Sequence, residues 1–407
     1  MEAENKKIVV SLFCGVGGLD LGFEKDFEVA LAIDNNPKVL AAYQKNFPNT
    51  SVLCEDIANL NPERIKELIY QKYPQWDGQV AAVIGGPPCQ PFSAAGKQNP
   101  NDERNQLVIK YIDLVIGLQP ETFVMENVPA LEWEKYSHVT SNAWANACEH
   151  YHATKWSLVA SDYGVPQKRK RIIWVGSKYG EIQPPSPSKQ FSVGDAIADL
   201  ENLTLDKDID SHHLENRGNY TQYLDQVFGK SNSNIITGCA ATLHNAATID
   251  KYSNTAPGEK EPTTWSYKLK EDGFSPTLRA GSGNRTAARP IHYKHPRVIT
   301  VREAARLSSF PDWFYLGDSK LHCHKAIGNS VPALMAQAIA IALCSHLDSN
   351  VIVQNRIKAD IRKWANPVSS TVFELVENQI QICFLPEVRI RISFEASIRP
   401  PPFCSYP

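Results

Sequence analysis

Apolar residues in the first part of the chain come in short runs separated by polar turns and by stretches of helical period. Residues 8–13 form the first run and read as a buried strand. The turn Cys14-Gly15-Val16-Gly17-Gly18 follows, and the pattern becomes helical through Phe23. A second strand is predicted over 28–33, ending in Asp34. Residues 37–46 predict a helix with proline at its first turn, where the missing N–H does no harm. A short strand at 51–54, a helix at 62–73, a buried strand at 80–84 and a helix at 104–118 come next. Residues 122–125 predict a strand opening into Glu126-Asn127-Val128-Pro129. This alternation predicts an α/β fold: a Rossmann-like parallel sheet with helices on both faces.

The rhythm then changes. Residues 155–160 and 171–176 predict strands, with Tyr163-Gly164-Val165-Pro166-Gln167 between them. From about 186 to 296 the chain is polar and rich in Ser, Asn, Thr, Gly and Pro. That composition predicts a smaller, irregular domain, entered by a short helix near 193–200. Residues 301–308 are helical in pattern, and 332–347 predict a helix returning to the first domain. The expected divisions are 1–184, 185–300, 301–347 and a tail from 348 to 407. The tail shows some β alternation at Arg389-Ile390-Arg391-Ile392, and no role follows from it.

Composition narrows this picture modestly. A chain of 407 residues with 43% hydrophobic residues can bury a sizeable core. No run reaches the roughly 18 apolar residues of a membrane span, and the first residues lack a signal peptide's apolar centre. The 9 cysteines include no Cys-x-x-Cys pair, which argues against a disulfide framework or a zinc ribbon. His322-Cys323-His324 has no second pair at ligand spacing, so no metal is expected. A reducing, cytoplasmic location is the simplest expectation. The net charge of −2 does not announce a nucleic-acid binder, but Lys168-Arg169-Lys170-Arg171 and the arginines from 279 to 306 are locally basic.

Chemistry concentrates at Gly85-Gly86-Pro87-Pro88-Cys89-Gln90-Pro91-Phe92-Ser93, directly after a predicted strand. Open α/β sheets place ligands at the C-terminal ends of their strands, and the prolines fix the backbone on both sides of the thiol. A cysteine near a strand is ordinarily a buried structural one; this setting favours a positioned nucleophile. Strand, Gly-rich turn, helix, strand and Asp34 together suggest an adenosine-containing cofactor. The dinucleotide fingerprint is incomplete, which excludes an NAD-type enzyme.

Pro-Pro-Cys-Gln-Pro-Phe-Ser resembles the catalytic motif of the DNA (cytosine-5) methyltransferases, and further motifs follow in that family's order from about residue 8 to 346. The resemblance implies S-adenosyl-L-methionine as cofactor and duplex DNA as substrate. It makes Cys89 the nucleophile on cytosine C6 and Glu126, in Glu-Asn-Val, the acid at N3. Arg169 and Arg171 match the Gln-x-Arg-x-Arg motif, in which the second arginine holds the cytosine O2. On the cofactor side it implies Phe13, Gly15, Gly17, Gly18, Leu19, Asp34, Asp56, Ile57, Pro88, Leu107, Asn329, Ser330 and Val331. Asn35 stands where many members carry an aromatic residue. Arg306-Leu307 and Phe310-Pro311 resemble the motif that supports the small domain, and the tail beyond 348 matches nothing in the family.

Such an enzyme must flip its target base out of the stack, at a cost of a few kcal/mol. The loop 90–105 is a plausible lid. Gln90, Ser93 and Gln167 are expected at the DNA, and residues 185–296 are expected to read sequence, with Arg279, Asn284 and Arg285 as candidate readers. A cognate restriction endonuclease acting on the same site, a monomeric state and no membrane complete the expectation. The rivals are a tRNA methyltransferase of the same family, which usually carries a Cys-Phe-Thr motif not found here, and a catalytically silent DNA-binding module.

Overall fold

A computed structural model describes residues 7–88, 105–203, 206–229, 234–280 and 289–365, and the strands 371–376, 379–384 and 388–392, with side chains through 352. Cys89, Gln90, Ser93, Asn284 and Arg285 lie outside the described residues. The chain packs as two units, Met1–Ser345 and His346–Pro407.

The first unit is built on a seven-stranded sheet. Its strands are β1 (Lys7–Leu12), β2 (Phe27–Asp34), β3 (Ser51–Cys54), β4 (Ala82–Gly85), β5 (Thr122–Asn127), β6 (His152–Val159) and β8 (Lys170–Ser177), with the two-residue β7 (Gln167–Lys168) outside it. The order is β3-β2-β1-β4-β5-β8-β6. The first five strands are parallel, while β8 runs antiparallel to β5 and β6 antiparallel to β8. The parallel sheet expected from the first part of the chain is present, and β8 and β6, joined by a short connection with no crossover helix, extend it at one edge as an antiparallel pair.

Helices α1 (Gly18–Phe23), α2 (Pro37–Asn46), α3 (Pro62–Lys72), α4 (Gln106–Leu118) and α5 (Ser137–His150) fill the connections. Asn36 and Asn61 cap α2 and α3, each ahead of a proline in the first turn. Val10, Val83, Ile112, Phe123 and Trp174 lie in the core.

From residue 186 regular structure is sparse. Helices α6 (Val193–Ile197), α7 (Asn219–Phe228) and α8 (Ala246–Asn254) are linked by long irregular segments. Helix α9 (Val301–Arg306) opens on a capping box, with Thr300 and Glu303 satisfying each other's backbone N–H. All six of its residues are buried.

Helix α10 (Lys320–Asn329) is followed by α11 (Ala333–Ala365), longer than the predicted 332–347. The apolar pattern ends near 347, but residues 348–365 contain neither Gly nor Pro, so nothing stops the helix there. The stretch Lys320–Ile352 is long and apolar enough to cross a membrane, but it is broken at Ser330–Pro332 and 61% of its apolar window is buried, as in a core helix. In the second unit Thr371–Val376, Gln379–Phe384 and Val388–Ile392 form a three-stranded antiparallel sheet.

Candidate active site

The register of the parallel strands gathers the predicted residues on one edge. Leu12 pairs with Ile33 and with Gly85, and Gly85 pairs with Met125. The segments that follow these positions, 13–18, Asp34, Gly86–Pro88 and Glu126, therefore leave the sheet side by side. Strand order reverses direction between β1 and β4, the switch point at which open α/β sheets leave a crevice.

The segment leading to Cys89 is fastened to β5. Asn127 Nδ2 donates to Pro87 O at 3.2 Å. A Cβ on Gly86 would stand 3.1 Å from Glu126 Oε2, so the backbone there passes close over the carboxylate. Glu126 is buried, and its Oε1 lies 2.6 Å from Arg171 Nε. The contact is an ion pair by distance but lacks the angles of a hydrogen bond. Arg171 arrives because β8 pairs Ile172 with Asn127, which puts residue 171 just beyond the end of β5.

The four basic residues alternate in exposure: Lys168 and Lys170 face outward, Arg169 and Arg171 inward. The two buried arginines go to different places. Arg169 donates to Leu278 O at 3.1 Å and Gly328 O at 2.9 Å, joining two segments far apart in sequence. Gln167, expected at the DNA, is fully buried. Its amide donates to Leu307 O and Ser308 Oγ and accepts from Leu278 N, so the side chain is spent inside the fold. Arg279 lines the large groove described below.

On the other side of the switch point the backbone takes positive φ at Phe13, Gly15 and Gly17. A Cβ on Gly15 would meet nothing within 4 Å, whereas one on Gly17 would run into Phe47 and Tyr43. Gly15 N donates to Asp34 Oδ2 at 3.0 Å and Asn36 N to Oδ1 at 2.9 Å. Burial raises the Asp34 pKa, and those N–H donors oppose the shift. Gly18 touches the far end of the chain: a Cβ there would lie 2.7 Å from Val331 O and 2.8 Å from Ser330 Cβ. Leu19 and Ile57 are buried, Phe13, Leu107 and Pro88 half-buried, and Asp56 and Asn329 exposed. An open turn with a carboxylate beside it, walled by residues 330–331, fits an adenosine-containing cofactor.

Sequence reasoning missed Asp20. It is fully buried behind the glycine turn and accepts from Tyr43 Oη at 2.8 Å. Burial pushes its pKa up to about 6, with the Ser11 and Tyr43 hydroxyls opposing only in part. An acid in the first turn of a helix is common, so nothing in the sequence marked it. Among the described residues no group of three His, Cys, Asp or Glu is placed to hold a metal ion.

Comparison with known proteins agrees with this geometry. The profile of the C-5 cytosine-specific DNA methylase family matches residues 8–345. The Type II methyltransferase M.XorII of Xanthomonas oryzae pv. oryzae is 36% identical over 360 residues, covering 82% of this chain and 84% of that protein. The Type II methyltransferase M1.HphI of Haemophilus parahaemolyticus is 32% identical over 347 residues, covering 82% and 86%. The crystal structure of a DNA modification methyltransferase encoded within an E. coli prophage superposes with a TM-score of 0.73 at 34% identity, covering 84% of this chain and 99% of that one. The chain belongs to the C-5 cytosine-specific DNA methylase family and is a DNA (cytosine-5) methyltransferase.

Proposed function

We propose that this enzyme methylates C5 of a specific cytosine in duplex DNA, with S-adenosyl-L-methionine as donor, through covalent attachment of Cys89 to C6 of a flipped-out base. The observation that carries the reading is the Glu126–Arg171 pair set beside the Gly86–Pro88 segment that leads into Cys89. When bound, S-adenosyl-L-methionine supplies a methyl group on a sulfonium sulfur. Gly15, Gly17, Gly18 and Asp34 would hold it, with Phe13, Leu19, Asp56, Ile57, Pro88, Leu107 and residues 329–331 around it.

Cytosine C5 is a weak nucleophile until the ring loses its aromaticity. The Cys89 thiolate adds to C6, and the displaced electron pair moves to N3, where Glu126 supplies a proton. Arg171 steadies Glu126 and holds the cytosine O2. This leaves an enamine whose C5 can be alkylated. Once C5 carries the methyl group, loss of the C5 proton, departure of Cys89 and return of the N3 proton to Glu126 restore the aromatic ring and free the cysteine. Arg169 and Gln167 act by position, tying the strand that carries Arg171 to residues 278, 307 and 328.

Residues 1–184 and 301–347 would form the catalytic part and 185–300 the part that reads sequence, with Gln90, Ser93, Arg279, Asn284 and Arg285 against DNA. Because relatives are Type II methyltransferases, we place the enzyme in restriction–modification, protecting a site cut by a cognate endonuclease. It would work as a monomer in the compartment that holds the DNA.

The test uses tritiated S-adenosyl-L-methionine and duplex DNA carrying 5-fluorocytosine. Fluorine cannot leave as a proton does, so the wild type should stall as a denaturant-resistant adduct that Cys89→Ser cannot form. Normal cofactor binding without any adduct would overturn the covalent mechanism on duplex DNA and make tRNA the next substrate to try.

A further inference from the structure

A hairpin between Tyr252 and Ile291 carries Trp265 at its tip. Gly258 N donates to Lys268 O, Lys268 N to Glu259 O and Glu261 N to Ser266 O, so its two arms pair antiparallel. Its base is fixed as well: Ile291 N donates to Tyr267 O, Leu269 N to Ile291 O, and the buried Lys268 Nζ to Tyr252 O at 2.9 Å. Inside the turn the Glu261 carboxylate, 3% exposed, accepts from Thr263 N, Thr263 Oγ1 and Thr264 N. Burial opposes its charge, but those donors prevail and hold the carboxyl down at about 2.

This rigid turn presents Trp265 at a cost. Its φ is +60°, a strained region that bulky residues avoid. Glycine would turn there without penalty. Trp265 is nevertheless 48% exposed, with Lys260 Nζ 5.8 Å from its ring centroid, so about half of the indole stays open to a partner.

Trp265 lines a groove of about 1550 Å³ that also runs past β7 and α10. Lys168, Lys270, Arg279, Arg289 and Lys325 lie along it, and Asp272 is the only carboxylate among the described residues that line it. A cationic trough suits the phosphates of a polyanion, while an indole standing in it needs an apolar partner. Duplex DNA offers both, since its base edges include the thymine methyl. Lys168, three residues before Arg171 in the chain, is among the residues that line the groove.

We infer that Trp265 is a specificity-determining residue whose indole enters the groove of the duplex and packs on base edges while the surrounding cations hold the phosphates. The inference rests on the reading of this enzyme as one that acts on duplex DNA.

Bisulfite sequencing of plasmid DNA methylated by the wild type defines the recognition site. Trp265→Gly, which suits the backbone, should keep cofactor binding and melt no lower than the wild type. Its preference for that site over sites with one base pair changed should fall about tenfold or more. The slope of log Kd against log salt should stay the same, because no charge is removed. Trp265→Phe should recover much of the preference. An unchanged site profile and DNA affinity in Trp265→Gly would overturn the inference. So would an equal loss on every sequence with a shallower salt slope, which belongs to phosphate contacts. If the wild type itself methylates no duplex DNA, the parent reading falls and takes this one with it.

Discussion

Val9, Val83, Ile84 and Val124 sit at the centre of the sheet with no exposure, and their side chains bring nothing polar inside. Helix α9 is buried just as deeply, yet it carries Arg302, Glu303 and Arg306 into the interior. Arg306 grips Asp312 with two hydrogen bonds of 2.8 and 2.7 Å and also reaches Ala196 O and Asp199. Arg302 donates to Thr237 O and Pro311 O, and Arg297 holds Glu303 with bonds of 2.8 and 2.7 Å. The sheet is held by dispersion and dehydration, which degrade gradually as atoms are removed. The α9 cluster is held by charges that are stable only in company, because a buried ion left alone is far costlier than a missing methyl group.

The most severe way to break the cluster is Asp312→Asn. It leaves Arg306 without its bidentate partner and should cost about 3–5 kcal/mol in equilibrium unfolding. A loss below about 1 kcal/mol would show that Asp199 alone carries the charge.

Acid should separate the two regions next. Burial lowers the His292 pKa to about 4, with Glu303 opposing in part. The folded protein therefore binds fewer protons than the unfolded chain between pH 4 and the ordinary histidine value of 6.5, and stability falls as pH drops through that window. Arg297 and neighbouring donors overcome burial to hold Glu303 at about 2, which extends the loss further down. Hydrogen exchange, corrected for intrinsic rate, should show residues 291–312 losing protection at pH 4 before the strands of the sheet do. Equal loss in both would remove the distinction.

The smallest effect runs the other way. Asp20 has a folded pKa of about 6 against an ordinary 3.8, so the native state binds more protons in that window and stability falls as pH rises through it. Asp20→Asn should therefore stabilise the protein by about 1–3 kcal/mol at pH 8. That gain should vanish near pH 4. The same gain at both pH values would mean packing, not charge, is responsible.

The contrast also explains what could be read in the sequence. The strands of the sheet and the residues at their ends were legible because a buried strand announces itself within six residues, and glycine and proline mark where it stops. Asp34 and Glu126 follow such a run directly, and Gly15 and Gly86 come one residue later. The α9 cluster was not legible. Arg306 meets Asp199 across 107 residues, and nothing local distinguishes an arginine with a buried partner from one in solvent. The same blindness made Gln167 look like a DNA contact and hid Asp20. Arg169 and Arg171 share one alternation, so periodicity put both on one face but did not say that their partners would differ.

The close fit of Gly18 against Ser330 and Val331 bears on how the protein is made. A ribosome that has emitted the first three hundred residues has released every strand of the sheet, but not the wall against which its first turn closes. A growing chain therefore carries an open crevice until α10 and the start of α11 emerge. Fragments that end earlier, by premature termination or proteolysis, lack that wall even when the sheet itself has folded.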